Sequence, residues 1–207
     1  MVRDCVVLAI EGTHASGKTT VTHALAAHFR EQGVHVTTVE EPARGSPFIE
    51  DVVVHGKGQF DLVTEVDLFA AQLSAQLRAA RQHTMIICDK TIANVLAYAR
   101  LVLSAPPGSR AAACLEAMEA FCRAWAGVYD GVFYCCDQFA QEQTGDPYRS
   151  KVLDLQPAAD RVVRSTCATV GQRVIDIPPN MTTAERVRWI AARVTKLGLT
   201  KDASAAS

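Results

Sequence analysis

The chain has 207 residues, 49% hydrophobic and 21% charged, a balance that excludes a disordered polymer and suits one domain with a buried core. Its 21 basic and 22 acidic residues leave a formal net charge of −1, so it has no polybasic footprint for neutralising nucleic-acid phosphates, and nucleic acid is excluded as a main partner. No apolar run approaches the roughly 18 residues that a membrane span needs, and no signal peptide is expected in residues 1–10, where one basic residue precedes a short apolar run ending at Glu11.

Residues 5–10 (CVVLAI) form an unbroken apolar run, too short for a helix, as expected of a strand buried on both faces. From Lys18 the pattern turns helical, with Val21, Leu25 and Phe29 on one face, and stops at Gly33. Residues 34–39 read as a second strand that delivers Glu40 and Glu41 to its end, where Pro42 discourages further pairing. Residues 61–82 lack proline and glycine and space Leu62, Val66, Phe69, Leu73 and Leu77 for a long amphipathic helix. Residues 85–88 form a third strand ending in Asp89. Helices over 91–104 and 110–125 flank a loop at Pro106, Pro107 and Gly108. Residues 128–136 read as the fourth strand, 138–151 as an exposed loop, 157–170 as a helix and 174–177 as the last strand. Thr182 caps a final helix through Leu197, before a frayed tail. Five buried strands alternating with helices predict a parallel α/β sheet covered on both faces, with ligands at the C-terminal strand edge. The expected organisation is one domain over 1–198 and a tail over 199–207.

The seven cysteines (Cys5, Cys88, Cys114, Cys122, Cys135, Cys136 and Cys167) are odd in number, lie mostly in apolar runs, and form no CxxC pair or metal-ligand spacing. They read as reduced core thiols of a cytoplasmic protein.

Gly12, Thr13, His14, Ala15, Ser16, Gly17, Lys18 and Thr19 spell GxxxxGKT between a predicted strand and a predicted helix, with Thr20 next in the helix. The glycines let backbone N–H groups converge on phosphate oxygens, and the helix points its partial positive end at the same anion. Lys18 reaches the outer phosphates and the Thr19 hydroxyl serves Mg²⁺. The expected fold is therefore the P-loop nucleoside triphosphate hydrolase fold. Asp89, ending a hydrophobic strand, stands where a carboxylate holds Mg²⁺ directly or through water. Glu41, at another strand end, is placed to accept a hydroxyl proton in line with a γ-phosphate.

Ile10-Glu11-Gly12 running into Ser16-Gly17-Lys18-Thr19-Thr20 resembles the opening of the thymidylate kinase and deoxynucleoside kinase group, and Glu41-Pro42 matches the EP motif of the deoxynucleoside kinases. Glu40-Glu41-Pro42-Ala43-Arg44 also resembles the small-molecule kinase group that includes the ribosylnicotinamide kinase domain. Asp89-Lys90-Thr91 and Ala97-Tyr98 sit where these families carry DR(S/T/Y) and a downstream AY. The resemblance implies ATP and Mg²⁺ as cofactors, and Lys18, Glu41, Asp89, Lys90 and Arg149 as catalytic residues. It places the nucleotide on residues 12 and 14–20, Mg²⁺ on Thr19 and Asp89, and the acceptor on Glu41, Arg44, Phe69, Gln72 and Gln76. Residues 138–151 occupy the place of the family's lid, which brings Arg149 and Lys151 onto the phosphates on closure. Residues 175–179 lie where related kinases form a wall of the adenine pocket.

Two residues depart from these families. Lys90 stands in place of the usual arginine and cannot form a bidentate fork on phosphate. His14 replaces the aspartate with which thymidylate kinases contact the acceptor sugar, which argues against thymidylate. The expected function is γ-phosphoryl transfer to a nucleoside, nucleotide or related metabolite, with the helices over 61–82 and 91–104 as candidate faces for a homodimer. The alternatives are a P-loop ATPase or GTPase switch acting on a protein partner, and a nucleotide sensor. Against the switch stand the absence of an NKxD segment and of a glutamate after Asp89.

Overall fold

The computed structural model describes residues 4–13, 15–57, 59–137, 139 and 156–199, without the side chains of Arg44, Val53, Gln156 and Pro157. His14, Arg149, Lys151, the 138–151 loop apart from Phe139, and the tail from Thr200 onward therefore lie outside the described residues.

Five strands form one parallel sheet: β1 (Val6–Glu11), β2 (Val36–Val39), β3 (Met85–Asp89), β4 (Gly131–Cys135) and β5 (Ile175–Ile177), in the order β2-β3-β1-β4-β5. The described helices are α1 (Lys18–Glu31), α2 (Pro47–Val53), α3 (Leu62–Gln82), α4 (Ile92–Val102), α5 (Arg110–Trp125), α6 (Gln156–Thr169) and α7 (Thr183–Lys196). This is the α/β P-loop fold that the alternation of strands and helices predicts. The side chains of the central strands divide with period two. Leu8, Ile10, Met85, Ile87 and Phe133 meet Val21, Leu25 and Phe29 of α1 and Val187, Ile190 and Val194 of α7. Val7, Ala9, Ile86, Cys88 and Val132 face the opposite way and pack with Ala80 of α3. On that side α4, α5 and α6 close a further cluster through Leu96, Met118, Cys122 and Val163.

Helix ends follow their cap chemistry. Asp61 accepts the Thr64 N–H at 2.9 Å, and Thr182 with Glu185 makes a reciprocal capping box at the start of α7. Pro42 and Pro47 add two elements that the reading by periodicity lacks, a 3-10 turn over Pro42–Gly45 and the seven-residue α2. Each proline fixes the φ of a first helical turn that is too short to show a period. The fourth strand begins at Gly131 and not at 128, because residues 126–128 form a 3-10 turn and Asp130 turns back to accept the Val7 N–H at 2.8 Å.

All seven cysteines are free and five are buried. Burial pushes the Cys5 and Cys135 thiols up to about 11, which keeps them un-ionised. Among the described residues no helix is long and apolar enough to cross a membrane.

Candidate functional site

The register of the parallel sheet gathers the candidate residues at one edge. Ile10 of β1 lies beside Asp89 of β3, and Glu11 beside Tyr134 of β4. Glu41 follows β2 two residues after Val39, which pairs with Cys88. The loop between β1 and α1 therefore opens where three strands deliver acidic groups.

The loop needs its glycines. Gly12 has φ +138°, and a Cβ there would stand 2.8 Å from Ser16 Oγ and 2.9 Å from the Cys135 carbonyl. Gly17, at φ +82°, is the N-cap of α1 and has the Phe139 ring and the Arg186 guanidinium against it. Ala15 takes φ +56° without being glycine, a local strain of about 1–2 kcal/mol. Ser16 Oγ and Lys18 Nζ both donate to the Thr13 carbonyl, at 2.9 and 2.5 Å, and fold the loop on itself. No side chain caps α1 and its first turn holds no acidic residue, so its partial positive end suits an anion. Burial, then the neighbouring Lys90, lower the pKa of Lys18, while Asp89 and Glu41 pull it upward. Four charged groups thus share one field. Thr20, in the first turn of α1, is exposed.

Thr19 Oγ1 donates to Asp89 Oδ2 at 2.6 Å. Asp89 is 1% exposed and its Oδ1 is buried with no hydrogen-bond partner among the described residues. A buried carboxylate oxygen in that state is costly unless a cation or donor completes it. Hydroxyl and carboxylate together are hard oxygen ligands that suit Mg²⁺, which keeps its other positions for phosphate oxygens and water.

Across this edge, Lys90 Nζ donates to Glu41 Oε1 at 2.5 Å. Lys90 holds φ +85°, a conformation that costs a non-glycine residue about 1–2 kcal/mol. Its N–H donates to the Ile10 carbonyl at 3.1 Å, its carbonyl accepts from Gln72 Nε2 at 3.1 Å, and its ammonium lies 5.0 Å from the centre of the Tyr98 ring. Burial acts to lower the Lys90 pKa, but the charge of Glu41 and its neighbours prevails and holds it above the usual lysine value.

The expected acceptor residues diverge. Gln72 reaches the cleft wall through the Lys90 carbonyl. Gln76, one turn further, accepts from the Tyr129 hydroxyl at 3.1 Å, and that hydroxyl also receives the Ile92 N–H, so Gln76 is turned toward the junction with α4. Phe69 sits edge-on to Phe121 at 5.9 Å, packed between α3 and α5. Arg44 lies in the 3-10 turn after Glu41. Asp176, in the segment expected to wall the adenine, pairs with Arg164 at 2.9 Å.

Two residues at this edge hold contacts that the sequence motifs do not assign. Glu11 is fully buried and accepts four hydrogen bonds, from Gly12 N–H, Thr91 N–H, Thr91 Oγ1 and Asn94 Nδ2, at 3.3, 2.9, 2.7 and 2.5 Å. It clamps the mouth of the loop to the start of α4. Its signals in the sequence are a carboxylate ending an otherwise apolar strand and its place in the Ile10-Glu11-Gly12 opening, neither of which names its partners. Arg186 of α7 donates to the Ser16 carbonyl at 3.0 Å, to Asp137 Oδ2 at 2.5 Å and to the Met181 carbonyl at 3.1 Å. Its guanidinium lies 5.1 Å from the centre of the Phe139 ring, and the Phe139 N–H donates to the Ala15 carbonyl at 2.9 Å. The signal for Arg186 was an arginine on the stripe that also carries Val187, Ile190 and Val194.

Fold and loop together define a P-loop nucleotide-binding domain. The AAA domain model matches residues 7–186, and the chain belongs to that family. No curated protein matches the chain. Among solved structures, thymidylate kinase from Ehrlichia chaffeensis aligns at TM-score 0.58 and 17% identity, covering 92% of this chain and 98% of that one. Thymidylate kinase from Candida albicans aligns at 0.60 and 14%, covering 94% and 93%. The NadR protein in complex with NR aligns at 0.68 and 14%, covering 97% of this chain and 52% of that one, so the chain spans about half of NadR. At these identities the shared feature is the fold.

Proposed function

We propose that the chain is an ATP- and Mg²⁺-dependent phosphotransferase that moves the γ-phosphoryl group onto a small-molecule acceptor, a nucleoside, nucleotide or related metabolite. The observation that carries this reading is the 2.6 Å contact of Thr19 with Asp89, whose second oxygen is buried and unpartnered, opposite the Glu41–Lys90 pair. Thr19 and Asp89 would hold Mg²⁺, which when bound supplies charge neutralisation on the phosphates.

The chain's own residues supply the rest. The loop and α1 take the triphosphate, and Lys18 exchanges its bond to the Thr13 carbonyl for phosphate oxygens. Glu41 accepts the proton of the acceptor hydroxyl as that oxygen bonds to the γ-phosphorus and the bond to the β–γ bridging oxygen breaks, leaving the diphosphate. Lys90 orients Glu41 through their 2.5 Å hydrogen bond. Because Lys90 is bound by Glu41 and cannot fork, a hydroxyl is favoured over a phosphate as the accepting group.

Coupled ADP release, measured over nucleosides, nucleotides, pyridine ribosides and amino sugars, tests the reading. At least one acceptor should raise the rate well above basal hydrolysis. Glu41→Gln should lower that rate by about 10²–10⁴-fold while ATP affinity stays within threefold. Hydrolysis that no acceptor stimulates would exclude the kinase reading and favour an ATPase acting on a protein partner.

A further inference from the structure

Helix α3 turns a polar stripe into the protein. Glu65, Gln72 and Gln76 are all buried, and each leaves one buried atom without a hydrogen-bond partner among the described residues: Glu65 Oε2, Gln72 Oε1 and Gln76 Nε2. Gln76 faces Tyr129, away from the cleft. Glu65 and Gln72 are seven residues apart and share a helix face. Gln72 ends on the Lys90 carbonyl, and the Lys90 ammonium acts on the Glu65 carboxyl. Glu65 therefore shares the helix face that Gln72 turns toward the Lys90 backbone, on the side of the Glu41–Lys90 pair. Nearby, Ser46 Oγ donates to Asp67 Oδ2 at 2.8 Å and ties the start of α2 to α3.

A carboxyl group that is 3% exposed with an unpartnered oxygen is costly in a protein interior unless a ligand completes it. Burial, then Asp61, push Glu65 up to about 7, against a smaller pull from Lys90. Near neutral pH the group is held as a mixture of acid and carboxylate, and a donor brought against it would complete the ionised form. Around this wall the groups that act on one another are four carboxyl groups, Glu41, Glu65, Asp61 and Asp89, against two ammonium groups, Lys18 and Lys90, and Lys90 is already held by Glu41 at 2.5 Å. That balance repels a dianionic ester and attracts a positively polarised group.

Resting on the acceptor cleft assigned above, we infer that Glu65 is a specificity-determining residue, its carboxylate receiving an amino or ammonium donor of a hydroxyl-bearing acceptor. The test uses matched probes: cytidine beside uridine, adenosine beside inosine, glucosamine beside glucose, and each nucleoside beside its 5′-monophosphate. Binding to the full chain with an ATP analogue present is measured calorimetrically for wild type, Glu65→Gln and Glu65→Ala. In at least one pair the amino member should bind wild type at least tenfold more tightly than its partner. That preference should fall within threefold in the Glu65 variant that folds, with affinity for the ATP analogue unchanged. Preference for the carbonyl or phosphate member, absence of binding by every probe, or a preference that survives both substitutions would overturn the assignment. Turnover separates the two claims: a Glu65-dependent preference without stimulated ADP release keeps the recognition site and rejects the kinase.

Discussion

Removing the ion pair between the ends of β2 and β3 provides the most direct measure of how the proposed acceptor wall is built. Lys90 and Glu41 meet at 2.5 Å with side chains 6% and 23% exposed. At an effective dielectric of 20 their attraction is about 6–7 kcal/mol, most of which offsets the cost of dehydrating the ammonium. Lys90→Met leaves a carboxylate that can rehydrate and should cost about 2 kcal/mol. Glu41→Gln strands a buried ammonium and should cost about 3 kcal/mol, the lower end for a broken buried pair. The double variant should be less destabilised than the sum, with a coupling of about 2 kcal/mol from urea unfolding at pH 7. Lys90 has its folded pKa raised above the ordinary 10.5, so its stabilisation is complete below the unfolded value and is lost only as pH rises through the higher folded one. The coupling should be constant between pH 6 and 9. A coupling below about 0.5 kcal/mol, or one that fades by pH 9, would refute a buried and charged pair.

Glu11→Gln places an amide nitrogen among four donors and should destabilise the chain by about 2–4 kcal/mol in urea unfolding; a loss under 1 kcal/mol would show that the clamp is dispensable. Glu65 has its folded pKa raised from 4.5 to about 7, so the folded state binds the proton more tightly and stability falls as pH rises between those values, by roughly 3 kcal/mol. Glu65→Gln should lack this component, and equal pH slopes in the two proteins would contradict it. Arg186→Ala removes the donor from Asp137 Oδ2, whose other oxygen keeps the Asn180 N–H, and from the Ser16 carbonyl, and should cost about 2–3 kcal/mol in thermal unfolding. It should also weaken ATP binding in a titration; unchanged ATP affinity would detach Arg186 from the phosphate loop.

The strands were legible because they are short unbroken apolar runs bounded by polar residues, and the long helices because their apolar residues keep one period. Leu8 and Ile10 against Val7 and Ala9 is the sheet's own alternation, and Val21, Leu25 and Phe29 is the helix's. The phosphate loop was legible because glycine is demanded at Gly12 and Gly17 by close contacts and positive φ, and such demands leave a fixed spacing. Glu11, Arg186 and Glu65 were not legible as site residues. Their surroundings are set by partners 80, 170 and 25 positions away, at Thr91, Ser16 and Lys90, and no local pattern encodes such distances. Gln76 shows the same limit from the other side. Helical spacing puts it on the inward face of α3, but Tyr129 decides which group it meets.

The strain at Lys90 has a structural reason that joins the two halves of the site. Its positive φ is held from three directions: the N–H on Ile10, the carbonyl on Gln72 and the ammonium on Glu41. The adjacent Thr91 is held by Glu11, whose other oxygen returns to Gly12. The strand that opens the phosphate loop and the turn that carries the Glu41–Lys90 pair are thus bonded to each other across two consecutive residues, and neither can move without breaking buried hydrogen bonds. Phosphoryl transfer depends on donor and acceptor being held in line to within a fraction of an ångström. A lysine forced into a glycine's conformation, and kept there by three separate contacts, supplies that rigidity where a relaxed turn would not.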